Sequence, residues 1–403
     1  MVIKKHIRLT FFMLTDLRTG RGTENVLFNL LRYIPKNIDV TIIETDHVVQ
    51  ERISLDEVKK LTAGCNIIRI HKHPYRKGKM LRGVFVDSIL GPRYKDLKCA
   101  KYSRLLPEIQ KTDIVYLFLN EYSIFFKGVD IPVIGSCHTF SINYFVNPKN
   151  LLDRVYARYL HWLYFKSING FHYFPHDNSI FNKFKDKWHL KYNFSLPNGI
   201  NTSIFYPTYN KQNKKLKFLF VAALEYSKGL DILIPLMKKM ESNKDIEFHI
   251  VGTGPVEDKV KEIGNVKYHG VLTNKELAKL YRECDIFIYP SHSDTYSLVT
   301  LQALSSGLYV LTGDFFKGIF DDFNKYLEYL PMNVDAFYNR INEIIKDRKI
   351  IEHNKKEEYE YVKNNYDWEI VAKKFYDNIR EIVNLYYKNN YSVHKDKATL
   401  EHY

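Results

Sequence analysis

Ser291 to Gly307 (SHSDTYSLVTLQALSSG) joins a strand to a helix through a polar turn. The run Asp285–Pro290 before it is apolar and β-rich and stops at proline, and after it Leu298, Leu301, Ala303 and Leu304 recur at helical spacing. A helix opening near Tyr296 or Ser297 would leave its first backbone N–H groups unpaired at the carboxyl edge of a sheet, where phosphate is the natural partner. Asp294 stands at the entry and Gln302 two turns into the helix. A second candidate anion cradle is Thr19-Gly-Arg-Gly-Thr-Glu24, which follows the first apolar run. Gly20 and Gly22 would let backbone approach a phosphate closely, and the guanidinium of Arg21, or failing it Arg18, could grip two of its oxygens. The same glycines would also serve an ordinary helix-entry turn. Lys228-Gly229 precedes another helical pattern and could neutralise an anion there, or be an exposed lysine. His138, in Gly135-Ser-Cys-His-Thr139, is the histidine best placed at a strand end; a helix cap or a packed imidazole is its alternative.

The elements that would carry these residues alternate. Strands are expected at Ile7–Leu14, Ile38–Ile43, Ile67–Ile70, Asp113–Leu119 and Pro132–Gly135, with helical segments between them. A second series follows Lys214, with strands near 216–223, 246–251, 285–289 and 308–312 and helices near 229–240, 274–283 and 297–306. Such alternation predicts an α/β chain of two doubly wound parallel sheets covered on both faces. The polar stretch Tyr206–Lys215 reads as a hinge. Near the end, Trp368, Val371, Ala372, Phe375, Ile379 and Ile382 form one apolar helical stripe, with Asp367 available as a cap.

Composition sets the bounds. The 403 residues exceed a typical single core, and 45% of them are hydrophobic, enough for two. No apolar run approaches the length of a membrane-spanning helix, and Leu9–Leu14 is too short for a secretory signal. Cys65, Cys99, Cys137 and Cys284 have neither paired nor metal-type spacing, which favours the reducing cytosol and argues against a zinc site. The net charge of +14 is carried wholly by residues 1–200, with 31 Lys and Arg against 17 Asp and Glu; the remainder is neutral. A basic face suits an anionic membrane surface, an acidic acceptor or nucleic acid, and no nucleic-acid-reading motif accompanies it.

Five segments in order carry a family resemblance over roughly residues 196–307. They are Leu196-Pro-Asn-Gly-Ile-Asn201, Phe218–Asp231 with its Lys228-Gly229, His249-Ile-Val-Gly-Thr-Gly-Pro255, Val266-Lys-Tyr-His-Gly-Val271, and the turn with Asp294 and Gln302 on the two positions of a Glu, seven residues, Glu motif. Together they resemble the retaining family-4 glycosyltransferases of GT-B fold, and weaker echoes extend over most of the chain. The resemblance implies two Rossmann-like domains facing across a cleft: an acceptor-binding domain at 1–195, a nucleotide-sugar-binding domain at 196–365, a crossover helix at 366–388 opened by Tyr366-Asp-Trp-Glu and packed on the first domain, and a tail at 389–403.

It also implies roles. His138 would contact the donor sugar, Lys228 would neutralise the departing diphosphate, and Asp294 would bond a sugar hydroxyl. The backbone of Ser297, Leu298 and Val299 would hold the diphosphate, with Gly20, Arg21, Gly22, Gly229 and Gly252 also lining the donor. Gln302 would meet the ribose, His269 would line the base pocket or simply the surface, and Gly270 and Val271 would also line the donor. No metal and no cofactor are called for. The expected function is metal-independent, retaining, hexosyltransferase-like transfer from a nucleotide-sugar to a hydroxyl of a glycan, lipid-linked or otherwise membrane-associated, by a cytoplasmic protein peripheral to the membrane. Three departures point to an alternative, a noncatalytic nucleotide-sugar-binding or partner subunit. Ala222-Ala223 replaces the family's Gly-Arg, Asp294 is a methylene shorter than glutamate, and Gln302 is neutral.

Overall fold

The structure, a computed structural model, describes residues 4–400 except 14, 21, 46–50, 71–107, 119–122, 124–125, 127–128, 139–150, 152–154, 156–166, 178–180, 183–184, 187, 210–212, 293, 295 and 324. Arg21 and most of the basic segments 71–82 and 151–168 therefore lie outside the described residues. The chain divides into two units, Met1–Pro197 with Ala372–Tyr403, and Asn198–Val371.

The first unit is built on β1 (Ile7–Phe12), α1 (Gly22–Leu31), β2 (Ile38–Thr45), α2 (Leu55–Leu61), β3 (Asn66–Ile70), β4 (Ile114–Leu117), β5 (Val133–Ser136), β6 (Gly170–Tyr173) and β7 (Tyr192–Ser195). The strands form one sheet in the order β3-β2-β1-β4-β5-β6-β7, every pair parallel. All residues of β4 and β5 are buried, as expected of strands covered on both faces.

The second unit repeats the plan. Its elements are β8 (Leu216–Val221), α3 (Leu230–Lys239), β9 (Ile246–Val251), α4 (Glu257–Lys261), β10 (Val266–Tyr268), α5 (Asn274–Glu283), β11 (Ile286–Tyr289), α6 (Leu298–Ser305), β12 (Tyr309–Gly313), β13 (Leu327–Leu330), α7 (Val334–Lys346) and α8 (Lys355–Tyr366). The parallel sheet runs β10-β9-β8-β11-β12-β13. Local chemistry sets the boundaries: Thr273 and Glu276 cap α5 reciprocally, and Ser297 caps α6 through the N–H of Thr300. In each sheet the strand order reverses once, between β1 and β4 and between β8 and β11, and such reversals open a crevice at the carboxyl ends of the strands.

α9 (Trp368–Leu400) starts in the second unit and continues in the first. Ile200 and Asp367 form a parallel bridge, and Thr202 also bonds the Asp367 carboxylate, so the helix entry is pinned to the segment that opens the unit. The apolar stripe is buried from Trp368 to Ile382, and Phe375 meets Phe11, Tyr116 and Phe194 at ring separations of 6.0, 5.1 and 6.0 Å. The backbone stays helical to Leu400, through much of the stretch expected as a tail.

Tyr206–Lys215 is not where the chain changes units; that happens at Pro197–Asn198. Arg348 binds the carbonyls of Asn213 and Lys214, and Ser305 that of Phe205, so this polar stretch is tied into the second unit. Truncating Phe375 to alanine would open a cavity beneath three buried aromatics, at a cost of about 3–5 kcal/mol. Denaturant unfolding of Phe375→Ala should show that loss in the transition of the first unit, and a change below about 1 kcal/mol would mean the helix is not part of its core.

Candidate active site

In the second unit the loops after β8 and β11 meet beside the reversal of strand order. The β8 loop ends in the 3-10 turn Tyr226–Lys228 and then Gly229, whose φ of 85° ends the turn and starts α3. A Cβ on Gly229 would fall 1.9 Å from the carbonyl oxygen of Pro290, so only glycine lets the two loops approach this closely. His292 N–H then donates to the Ser227 carbonyl at 3.1 Å, and the His292 ring meets Asp231 at 2.9 Å.

This approach brings Lys228 and Asp294 together, Nζ to Oδ2 3.7 Å, with both side chains about one fifth exposed (23% and 22%). Asp294 Oδ2 also accepts from the Tyr289 hydroxyl at 2.9 Å. Tyr289 is buried, and the desolvation that comes with burial pushes its pKa well up, ahead of the repulsion from Asp294, so it is a fixed donor. The carboxylate is thus aimed by a strand residue from below and a cation from the side. A partly exposed pair of this length adds little, on the order of 1 kcal/mol, so Lys228 can exchange Asp294 for a stronger anion cheaply.

Next to the pair, α6 begins. Its cap uses the Ser297 hydroxyl for Thr300 N–H, and helix geometry leaves the N–H groups of Leu298 and Val299 without an intrahelical partner. Gln302 lies behind them, where the Tyr281 hydroxyl donates its one proton to the Val299 carbonyl at 2.9 Å and lies 3.3 Å from the Gln302 amide oxygen. A glutamine here offers N–H donors where a glutamate would offer only acceptors. Ala223 is exposed at the end of β8, on the same edge.

The other candidates of this unit gather around β9 and β10. Gly252 N–H donates to the Gly270 carbonyl at 2.7 Å, and a Cβ on Gly252 would collide with the Ala222 carbonyl at 1.8 Å. His269 pairs with His249 (2.9 Å), which pairs with Glu247 (2.7 Å), and burial holds both imidazoles below their ordinary pKa. Val271 is largely exposed.

In the first unit, His138 lies two residues beyond β5, half-buried and stacked on Phe118 at 5.2 Å. Its Nε2 is 3.1 Å from the Tyr116 hydroxyl, which is 2.5 Å from His172 Nδ1, and His172 Nε2 reaches the Leu196 carbonyl at 2.9 Å. Burial pushes the His138 pKa well down, and that of His172 to about 4, so both rings are neutral at physiological pH. Gly20 closes the 3-10 turn Leu17–Thr19 after β1, and Gly22 opens α1 with open space around its Cα. Arg18 is engaged by the buried Asp16 through two nitrogens, at 3.0 and 2.7 Å, which takes it out of reserve for a ligand.

Tyr289, Tyr281 and Tyr116 were not expected. Tyr116 and Tyr289 lie in apolar runs and Tyr281 on the buried face of an amphipathic helix, where a tyrosine reads as core; the one available signal was Tyr289 standing directly before Pro290, where a strand-end hydroxyl must emerge at the loop.

Two parallel, doubly wound units with a last helix returning to the first define the GT-B fold. Residues 205–366 match the family model of Glycosyl transferases group 1. Among curated relatives, an uncharacterized glycosyltransferase of Methanocaldococcus jannaschii is 27% identical over 52% of this chain and 56% of its own. The gpi3 subunit of phosphatidylinositol N-acetylglucosaminyltransferase from Schizosaccharomyces pombe is 25% identical over 46% of this chain and 43% of its own. The chain thus spans about half the length of these relatives. Among solved structures, Anabaena HepE in complex with UDP and glucose superposes with a TM-score of 0.66 at 12% identity, covering 93% of this chain and all of that one.

If Lys228 meets charge that grows on a departing group, Lys228→Ala should lower kcat for sugar transfer about 100-fold or more, and Asp294→Ala should mainly impair use of the donor sugar. Steady-state kinetics over a range of donor concentration checks both, and unchanged rates in the two variants would move the active site elsewhere.

Proposed function

We propose that the protein is a retaining glycosyltransferase, of the family-4 type, that moves a sugar from a nucleoside-diphosphate donor to a hydroxyl of a membrane-associated or lipid-linked acceptor. The observation that carries this reading is the convergence of Lys228, Asp294 and the N-terminus of α6 at one sheet edge. A lysine ammonium and two outward backbone N–H groups suit a diphosphate, and a carboxylate oriented by Tyr289 suits a sugar hydroxyl beside it. HepE, with the same fold, holds UDP and glucose, which supports a nucleotide-sugar of this kind. A fixed cation and helix dipole stabilise leaving-group charge without a metal, so the reaction proceeds in the presence of chelator. Retention follows from front-face attack, with the donor phosphate taking the acceptor proton.

The acceptor class rests on two further points. The S. pombe relative is named for transfer to phosphatidylinositol, and the whole charge excess of this chain lies in residues 1–200, suited to an anionic headgroup layer. Among the described residues no helix is long and apolar enough to cross a membrane.

One assay tests the whole reading. Purified protein, a labelled nucleotide-sugar and a lipid-linked glycan should yield an organic-extractable product whose new linkage keeps the donor's anomeric configuration by NMR, with chelator present. An inverted linkage overturns the mechanism, label confined to water-soluble products overturns the acceptor class, and donor binding without any transfer favours a noncatalytic subunit.

A further inference from the structure

The loop after β11 holds the backbone on both sides of Lys228. Before it, the Ser227 carbonyl accepts from His292 N–H at 3.1 Å and from the Ser291 hydroxyl at 3.4 Å; after it, Gly229 lies against the Pro290 carbonyl. Side chains join the same two loops in two places. One is Lys228 with Asp294. The other is His292 with Asp231, in the first turn of α3, where ring Nε2 lies 2.9 Å from each carboxylate oxygen. A carboxylate only accepts, so Nε2 carries the proton and the ring donates in either of its charge states. The two links fare differently when an anion arrives. A diphosphate that draws Lys228 to its oxygens takes the lysine from Asp294, and that link is lost just when the lysine must stay in place. His292 and Asp231 bond each other and not Lys228, so their link survives the exchange.

We propose that His292 and Asp231 are positioning residues, a latch between the β8 and β11 loops that keeps Lys228 in place for the phosphates of a bound nucleotide. The inference rests on the reading of Lys228 as a phosphate ligand, and every residue in it belongs to the second unit. Charge and position make opposite demands on Asp231. It is an anion three residues from Lys228, so by charge alone it repels a diphosphate, and its removal would tighten binding. As half of a latch its removal loosens binding. The sign of the effect therefore separates the two accounts. Its size is bounded too, because a latch shifts binding by no more than its own strength. The two side chains are 40% and 44% exposed, and a pair so open to water transmits about fivefold at most.

The test is titration calorimetry on the full chain with UDP, GDP, ADP, CDP and dTDP, carried forward with whichever binds the wild type most tightly. His292→Ala and Asp231→Ala should each lower its affinity about three- to fivefold, and the double variant should be no worse than either one. Asp231→Asn keeps an acceptor for the ring and drops the charge, so it should stay within about twofold of the wild type. In a Lys228→Ala background, His292→Ala should change affinity by less than about 1.5-fold, because the latch acts through that lysine; a merely structural loss would be the same in both backgrounds. His292→Phe, which keeps a ring and removes the N–H, replaces His292→Ala if that variant does not fold. The proposal is overturned if Asp231→Ala binds as tightly as the wild type or more so, or if the loss in His292→Ala persists undiminished without Lys228. Wild-type affinity in Lys228→Ala, or no binding of any of the five nucleotides, would instead overturn the reading of the site on which the latch rests.

Discussion

The second unit depends on one close approach, that of Gly229 to the carbonyl of Pro290. Two loops leaving adjacent parallel strands normally diverge, because each enters a helix on its own side of the sheet. Here a left-handed glycine with no side chain lets the β8 loop lie against the β11 loop, and any Cβ at that point would sit inside the Pro290 carbonyl. The consequences are local and chemical: His292 can reach Ser227 and Asp231, and Lys228 can reach Asp294, four residues ahead of the start of α6. A cation, a carboxylate and a helix terminus are gathered without a buried ion pair, so no large desolvation cost stands against ligand entry.

Under the proposed function, the weak pair between Lys228 and Asp294 is a resting arrangement. A diphosphate would draw the ammonium to its oxygens and leave Asp294, still held by Tyr289, for a sugar hydroxyl. The departures from the family pattern then acquire a physical meaning. Gln302, beside Tyr281, can present N–H donors to ribose oxygens, and Ala223 leaves exposed space at the strand end where an arginine is usual.

Much of this was legible from the order of residues. The strands at Ile7, Ile38, Ile246 and Ile286 announce themselves as apolar runs ending in polar turns, and the β8 and β11 loops were placed by Lys228-Gly229 and by the turn before Leu298. β6, β7, β10 and β13 are short, and Gly170-Phe-His-Tyr and Leu327-Glu-Tyr-Leu have too little contrast to separate a strand from a loop. Tyr206–Lys215 looked like a hinge because polarity cannot distinguish a linker from a strap tied down by a distant Arg348. Hydrogen-bond chains such as Tyr116 with His138 and His172 join residues 22 and 56 positions apart, and only the register of the sheet brings them together.

The central claim is that the carboxyl edge of the second unit is a nucleotide-sugar site organised by Lys228. Thermal unfolding against a panel of nucleoside-diphosphate sugars tests it most directly, since a ligand that binds only the folded state must raise the apparent Tm. At about 100 times Kd, one donor should stabilise the wild type by about 2.7 kcal/mol, and the shift should shrink sharply in Lys228→Ala. No shift with any nucleotide-sugar at millimolar concentration, or an equal shift in Lys228→Ala, would contradict it.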